Sequence, residues 1–225
     1  MMVVSERQRR TSQRRRGILD AALDAMLEVG ESGGFVEEVC QRASVSVGTV
    51  YHHFGSKDRL IATLHYTLLN EYQRGAGVLL AADPPAERGI RETVDCHLRW
   101  LVKHPRPATF LLEQPFAGNR SADVPISLRE ENSVFLSLVR TWLERRMSAG
   151  ELRVLPFDLV VALLIGPVHH WARSALFRGA PSAASVRLAS AEIGEGAWQA
   201  LRPAGLQSPR PSGTPRKKSG PGRIR

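Results

Sequence analysis

The chain has 225 residues, of which 43% are hydrophobic, enough to build the core of one medium domain or two small ones. Its formal net charge is +9, and the excess lies at the two ends. Residues 1–16 hold six arginines and one glutamate, while residues 202–225 hold five arginines, two lysines and no acid. Basic ends of this kind favour a polyanionic partner or only aid solubility, and we expect the N-terminal end to contact double-stranded DNA.

Composition also excludes several classes of protein. No stretch reaches the ~18 uncharged apolar residues of a membrane span, and residues 1–16 lack the apolar segment of a secretory signal. Cys40 and Cys96 stand in unrelated contexts, without metal-ligand spacing. We therefore expect a cytoplasmic protein with reduced thiols, no structural zinc and no membrane partner.

The first third of the chain predicts an arm followed by four helices. Residues 1–13 are polar and arginine-rich, which predicts a disordered basic arm, and apolar residues at helical spacing begin near Arg14 and end at Gly30. Two short helices are expected over residues 36–43 and 47–54, separated by a turn. Ser56 is a candidate N-cap for a long helix over residues 58–82.

The rest of the chain predicts further helices over residues 86–103, 127–149, 157–177 and 183–201, with a short apolar piece at 108–112. Pro167 should kink the third of these. Residues 115–125 form a predicted loop, and residues 202–225 a disordered basic tail. No strand-like alternation is present, so the fold class is all-α, divided into residues 14–60 and 61–201.

The segment VEEVCQRASVSVGTVYHHFGSK, residues 36–57, has the properties of a helix-turn-helix. Val39, Val45 and Val50 can fill a core shared by the two short helices. The second helix would then expose hydrogen-bonding and aromatic groups, as a helix lying in the major groove requires. Lys57, beside the start of the next helix, is placed to take a phosphate.

The run ASVSVGTVYHHFGSKDRL resembles the N-terminal signature of the TetR family, and ILDAALDAMLEVG resembles the first helix of that family. The resemblance covers about residues 14–69. It implies an N-terminal three-helix DNA-binding domain and a C-terminal helical domain for ligand binding and dimerisation. The DNA-contacting positions that it implies are Val47, Gly48, Thr49, Tyr51, His52, His53 and Lys57.

Two departures concern DNA binding. Gly34 and Phe35 stand where the family has a capping Thr or Ser, so the cap of the second helix is missing or displaced to Ser32. Residues 17–60 hold seven acids against Arg42, Lys57 and Arg59. A DNA-binding segment this acidic needs positive charge from residues outside the segment to attract phosphate. We expect Arg14, Arg15 and Arg16 to supply much of the attraction to phosphate.

The C-terminal half predicts a homodimer, because residues 157–177 are apolar on more faces than one core can cover. Two DNA-binding heads held one DNA turn apart would then recognise a palindromic operator. Small residues in the final helix, including Ala189 and Gly194, allow close approach. The candidate interface residues are Leu163, His170, Ala184, Ala191 and Trp198.

Aromatic and polar groups within the aliphatic helices predict a pocket for a small, mostly apolar effector. The candidate lining residues are Cys96, His97, Trp100, Phe110, Phe116, Trp142, His169 and Trp171. His169 and His170 point ~100° apart on a helix and do not chelate one ion together. No catalytic constellation stands out, and we expect no cofactor, no metal and no enzymatic activity.

The function that the sequence favours is a repressor released from its operator by the effector. Two alternatives stay open. One is a DNA-bound activator or architectural regulator that responds to a protein partner. The other is an enzyme that has kept the fold.

Overall fold

The computed structural model describes residues 6–31, 33–113 and 124–203, and within these ranges the chain forms nine α-helices and no strand. The predicted all-α fold class is confirmed. The helices are α1 (Glu6–Val29), α2 (Phe35–Ala43), α3 (Val47–Phe54), α4 (Lys57–Ala81), α5 (Ala86–Lys103), α6 (Pro105–Glu113), α7 (Ile126–Ser148), α8 (Phe157–Phe177) and α9 (Ala183–Leu201).

Helix α1 begins eight residues before its predicted start at Arg14, so the prediction of disorder was wrong for residues 6–13. No glycine or proline interrupts this stretch. Glu6 lies in the first turn, where its carboxylate suits the helix dipole, and it pairs with Arg10 at 2.8 Å. The Thr11 hydroxyl donates to the carbonyl of Arg7 at 2.9 Å. Residues 1–5 and most of the predicted C-terminal tail, from residue 204 on, lie outside the described residues.

Two hydrophobic cores organise the chain. The first is formed by α1 to α4 with Phe110 from α6, and it surrounds Val39 and Val50. The second is formed by α4 to α9. Leu64 and Leu68 of α4 belong to the first core, whereas Tyr72 and Leu80 of the same helix belong to the second. The boundary expected after residue 60 therefore falls within a continuous helix that contributes to both cores.

Helix α8 is the one described helix long and apolar enough to cross a membrane by length and composition, with a mean hydropathy of 1.3 over its most apolar window. It runs without interruption through Pro167. Only 28% of that window is buried. Helix α9 packs mainly on α5, where Gly194 lies close to the backbone of Arg91. The small residue Gly194 thus allows α9 to pack closely on α5 within the same chain.

Candidate nucleic-acid interface

The turn between α2 and α3 is held by local hydrogen bonds on both sides. The C-cap of α2 is Ser44, which has a φ of 52°, and the Ser44 N–H donates to the carbonyl of Gln41. The hydroxyl of Ser46 caps α3 by accepting from the N–H of Thr49 at 3.2 Å. Val39 and Val50 are fully buried between the two helices. These contacts fix the direction of α3 relative to the first core.

Helix α2 lacks a side-chain cap. Its N-cap is Gly34, with a φ of 101°, and no side chain accepts a hydrogen bond there. The missing side-chain cap agrees with the absence of the capping Thr or Ser noted in the sequence. Ser32, the alternative cap, lies outside the described residues. The position needs glycine because an L side chain rarely adopts this φ.

The outer face of α3 is polar and carries little charge. Tyr51 is 41% exposed, His52 is exposed, and Thr49 and His53 are partly exposed. The Thr49 hydroxyl lies 3.0 Å from the hydroxyl of Ser46. Partial burial, followed by the charges of His52, Arg14 and Arg15, lowers the pKa of His53. A neutral imidazole both donates and accepts hydrogen bonds, as contact with base edges requires.

Two of the three cations within residues 17–60, Arg42 and Lys57, are engaged with the protein itself, while Arg59 is exposed. Arg42 binds the carboxylates of Glu28 at 2.5 Å and Glu38 at 2.6 Å. The ammonium of Lys57 donates to the carbonyl of Glu31 at 3.0 Å and is only half-buried. Lys57 must exchange this contact before it can take the phosphate expected for it.

The three arginines predicted to attract phosphate occupy different environments. The guanidinium of Arg15 lies over the ring of Phe54, 5.3 Å from its centroid, and Arg15 is partly buried. Arg14 and Arg16 are both exposed, but only Arg14 lines the wide groove between the N-terminal half of α1 and α3. The groove has a volume of about 1150 Å³.

Rings from three helices meet inside the second core. The ring of Tyr72 on α4 lies 4.5 Å from that of His97 on α5 and 5.2 Å from that of Trp100, centroid to centroid. The Tyr72 hydroxyl lies 2.9 Å from Nε2 of His169 on α8. His97 is 4% exposed, and its Nδ1 has no hydrogen-bond partner among the described residues. We call Tyr72, His97, Trp100 and His169 the ring cluster.

Tyr72 is the one member of the ring cluster that was not predicted from the sequence. It is a single tyrosine in the apolar stripe of α4, where it has the spacing of an ordinary core residue. Its contacts depend on how α4, α5 and α8 are rotated against one another, which no local pattern specifies.

The other proposed effector residues lie apart from the ring cluster or at its edge. Phe110 is buried in the first core, 5.8 Å from the ring of His65. The indole of Trp142 donates to the carbonyl of Pro84 at 3.1 Å. Cys96 and Trp171 are partly buried, and Cys96 faces Gly75. Phe116 lies outside the described residues. The structure therefore groups His97, Trp100 and His169, and does not bring Phe110 or Trp142 to them.

The candidate dimer residues are mostly at the surface. His170 of α8 and Ala184 and Ala191 of α9 are exposed, while Leu163 and Trp198 are partly buried. Leu159 on α8 and Leu188 on α9 are 43% and 64% exposed. Large apolar side chains thus accompany the candidate residues on both helices.

Together, the capped turn, the exposed face of α3 and the separate helical second core define a helix-turn-helix protein with an additional all-α domain. The family model for bacterial regulatory proteins of the tetR family matches residues 18–64. Over these residues the chain has the N-terminal domain of TetR family transcriptional regulators.

Known relatives extend this comparison beyond the first domain. The transcriptional repressor NicS of Pseudomonas putida is 28% identical over 149 residues, which cover 65% of this chain and 69% of NicS. Other curated relatives, with identities of 37–43%, match over only 29–42% of their own length.

Two crystal structures share the fold. A TetR family regulator of Marinobacter aquaeolei has a TM-score of 0.69 at 17% identity, covering 87% of this chain and 98% of that one. The regulator FadR of Bacillus subtilis, crystallised with stearoyl-CoA, has a TM-score of 0.63 at 16% identity, covering 81% and 96%.

Proposed function

We propose that the protein is a homodimeric repressor that binds a palindromic operator through α3 and leaves it when a small, mostly apolar effector binds. The observation that carries the proposal is the exposed, hydrogen-bonding face of α3, held in a fixed direction by the Ser46 cap and by Val39 and Val50. Val47, Gly48, Thr49, Tyr51, His52 and His53 contact bases or the adjoining backbone, and Lys57 contacts phosphate after leaving Glu31.

The uncovered surface of α8 and α9 supports dimerisation. Its exposed leucines, Leu159 and Leu188, lie on the two helices that the sequence analysis selected. A two-fold pair of such helices buries these side chains in a four-helix contact. Dimerisation in turn places two copies of α3 on successive half-sites of the operator.

The ring cluster supports an effector site in the second core. It combines apolar rings with a buried nitrogen of His97 that lacks a partner, and an unsatisfied buried polar atom is costly unless a ligand or water completes it. The proposed effector contacts are therefore His97, Trp100 and His169. Tyr72 joins them because it belongs to the same ring cluster. The likeness to FadR, which was crystallised with an acyl-CoA, is in keeping with a mostly apolar effector.

Repression is favoured over the two alternatives because the relative NicS is a repressor. An activator or architectural regulator that answers to a protein partner would bind DNA but respond to no small molecule. An enzyme on the same fold would show turnover that depends on His97 or His169.

The test begins with selection of bound duplexes from a random DNA library by the full chain. A palindromic consensus, protected as two half-sites in footprinting, is the expected result. Thr49→Ala and His52→Ala should each lower the affinity for that duplex or relax the selected consensus. Glu130→Ala, a change at an exposed position on α7, should do neither. A screen for compounds that release the selected duplex then tests the effector. Failure to enrich any sequence would contradict the proposal.

A further inference from the structure

The groove between α1 and α3 has one basic wall. Arg7, Arg10 and Arg14 line it from α1, opposite Ser46, Thr49, His52 and His53. Glu6 is the one carboxylate among its lining residues. The groove is therefore positively charged and directly adjoins the helix that is proposed to enter the major groove.

Helical geometry explains why these three arginines share a wall. With 3.6 residues per turn, residues 7, 10 and 14 fall within about 60° of one another around the α1 axis. Arg9 and Arg16 fall on the opposite side of the helix, roughly 120° or more from the middle of that arc. Neither Arg9 nor Arg16 lines this groove. The extension of α1 back to Glu6 is what creates the basic wall, because a disordered arm would not align its arginines.

Several cations of the first domain are occupied by contacts within the protein, so phosphate binding needs cations from elsewhere. Arg42 is held by Glu28 and Glu38, and Lys57 by the carbonyl of Glu31. Arg15 is stacked on Phe54. Among the described residues of the first domain, the exposed cations next to α3 are then those of the basic wall and Arg59, which lies at the far end of α3 beside Gly55. Among the described residues, Arg10 pairs with Glu6 alone, and both side chains are exposed. Such a surface pair is worth little, so Arg10 can exchange it readily for a phosphate.

From this geometry we infer that the groove seats one strand of duplex DNA, with Arg7, Arg10 and Arg14 binding successive phosphates while α3 contacts the bases. Residues 7 to 14 rise by about 10.5 Å along the helix. Phosphates of one strand recur about every 3.4 Å along the duplex axis, so this length is sufficient for about three of them. Arg16, although equally basic and exposed, has no place in this contact. The inference rests on the proposed function and assigns its phosphate-binding surface.

The test compares two arginine sets on the same helix. The full chain, the variant R7A/R10A/R14A and the matched variant R9A/R16A are titrated with the duplex selected by the wild type, between 50 and 200 mM salt. The slope of log K against log salt should fall by about 0.9 per arginine and protomer in the first variant, with affinity at least about tenfold weaker at the middle of the range. The second variant should keep the wild-type slope.

Circular dichroism and thermal unfolding of each variant show whether α1 stays folded. Equal slopes in R7A/R10A/R14A and in the wild type would overturn the inference, as would equal losses in both variants, because the attraction would then be diffuse. A wild-type protein that selects no duplex would instead contradict the proposed function. The two failures are therefore distinct.

A gain-of-binding variant tests the same surface from the other direction. Glu6→Gln removes the one carboxylate of the groove and frees Arg10 from its ion pair. Affinity for the selected duplex should rise severalfold and the salt slope should steepen. Glu87→Gln, which removes an exposed carboxylate paired with Arg91 on α5, serves as the control and should leave both unchanged. Weaker binding by the Glu6→Gln chain would count against the inference.

Discussion

The hydroxyl of Tyr72 on α4 lies 2.9 Å from Nε2 of His169 on α8. Burial raises the pKa of Tyr72, while burial, followed by the charge of Arg173, lowers the pKa of His169. Both side chains are therefore neutral near pH 7, and the phenol and the imidazole share one hydrogen bond. This bond joins the helix that carries the DNA-binding head to a helix proposed for the dimer contact.

Tyr72→Phe should lower the free energy of unfolding by about 1–3 kcal/mol, because it leaves the largely buried Nε2 of His169 without its hydrogen-bond partner. Denaturant unfolding of Tyr72→Phe, His169→Phe and the double variant forms a thermodynamic cycle. The double variant should lose less than the sum of the single variants. Strict additivity would show that the two side chains do not interact.

Two buried histidines should make stability depend on pH. Burial lowers the pKa of His65 to about 4, and burial, followed by the charge of His169, lowers the pKa of His97 to about 3. In the unfolded chain both titrate near the ordinary histidine value of about 6.5. The unfolded state therefore binds more protons below that pH, and stability falls as the pH drops from about 6.5 toward 4.

Each histidine should contribute a slope of up to about 1.4 kcal/mol per pH unit across that window. Denaturant unfolding of the wild type, His65→Gln and His97→Gln at several pH values measures the slopes. Each variant should have a flatter profile than the wild type between pH 4.5 and 6.5, roughly the window the linkage relation gives. Parallel profiles would contradict the assignment.

Ser46 and Ser182 make the same cap in two different places, on α3 and on α9. Ser46→Ala and Ser182→Ala should each cost about 1 kcal/mol of stability. Only Ser46→Ala should also weaken binding to the selected duplex, because α3 and not α9 is the helix proposed to enter the DNA groove. Thermal unfolding and fluorescence anisotropy measure the two effects. Equal DNA affinity in both variants would count against a role for the direction of α3.

Gly89 is required by the packing of Trp142. A Cβ at Gly89 would lie within 2.7 Å of two indole atoms of Trp142, which is fully buried and hydrogen-bonded to Pro84. Gly89→Ala should therefore destabilise the chain by about 1–3 kcal/mol despite its better helix propensity. Gly196→Ala on α9, with no atom within 4 Å of the added Cβ, should be neutral or stabilising. Melting temperatures of the two variants provide the comparison.

Leu188→Glu tests the proposed dimer. Leu188 is 64% exposed on α9, and a carboxylate there would be buried without a partner if the helices pair with their copies. Sedimentation should show a shift toward the monomer, with loss of affinity for the palindromic duplex. Val154→Glu changes an even more exposed residue, at 82%, between α7 and α8, and should leave the assembly unchanged. Two variants with the same sedimentation would contradict the interface.

Helices with clear start and stop signals were predicted well from the sequence. Pro85 and Pro156 directly precede α5 and α8, and the predicted bounds of α5, α8 and α9 agree with the structure. The start of α1 was missed because residues 6–13 contain no apolar residue to reveal a helical period. Their helix is supported by contacts such as the Glu6–Arg10 pair, which an apolar pattern does not detect.

The candidate sites were predicted unevenly for a related reason. The face of α3 follows from a local motif, so residues such as Tyr51 and His52 lie at the surface as expected. The ring cluster depends on three helices distant in sequence. Composition selected Phe110 as readily as His97, although Phe110 packs in the other core. Tertiary placement, not residue type, separates them.

The continuity of α4 has a mechanical consequence. Tyr72 and Lys57 are separated by about four turns of one helix, a rod of roughly 22 Å. A tilt of only ~5° about the Tyr72 end would displace the Lys57 end by ~2 Å, because an unbroken helix of this length moves as a rigid lever. A small rotation in the interior would thus change the distance between the two heads of the proposed dimer, which rigid duplex geometry does not tolerate.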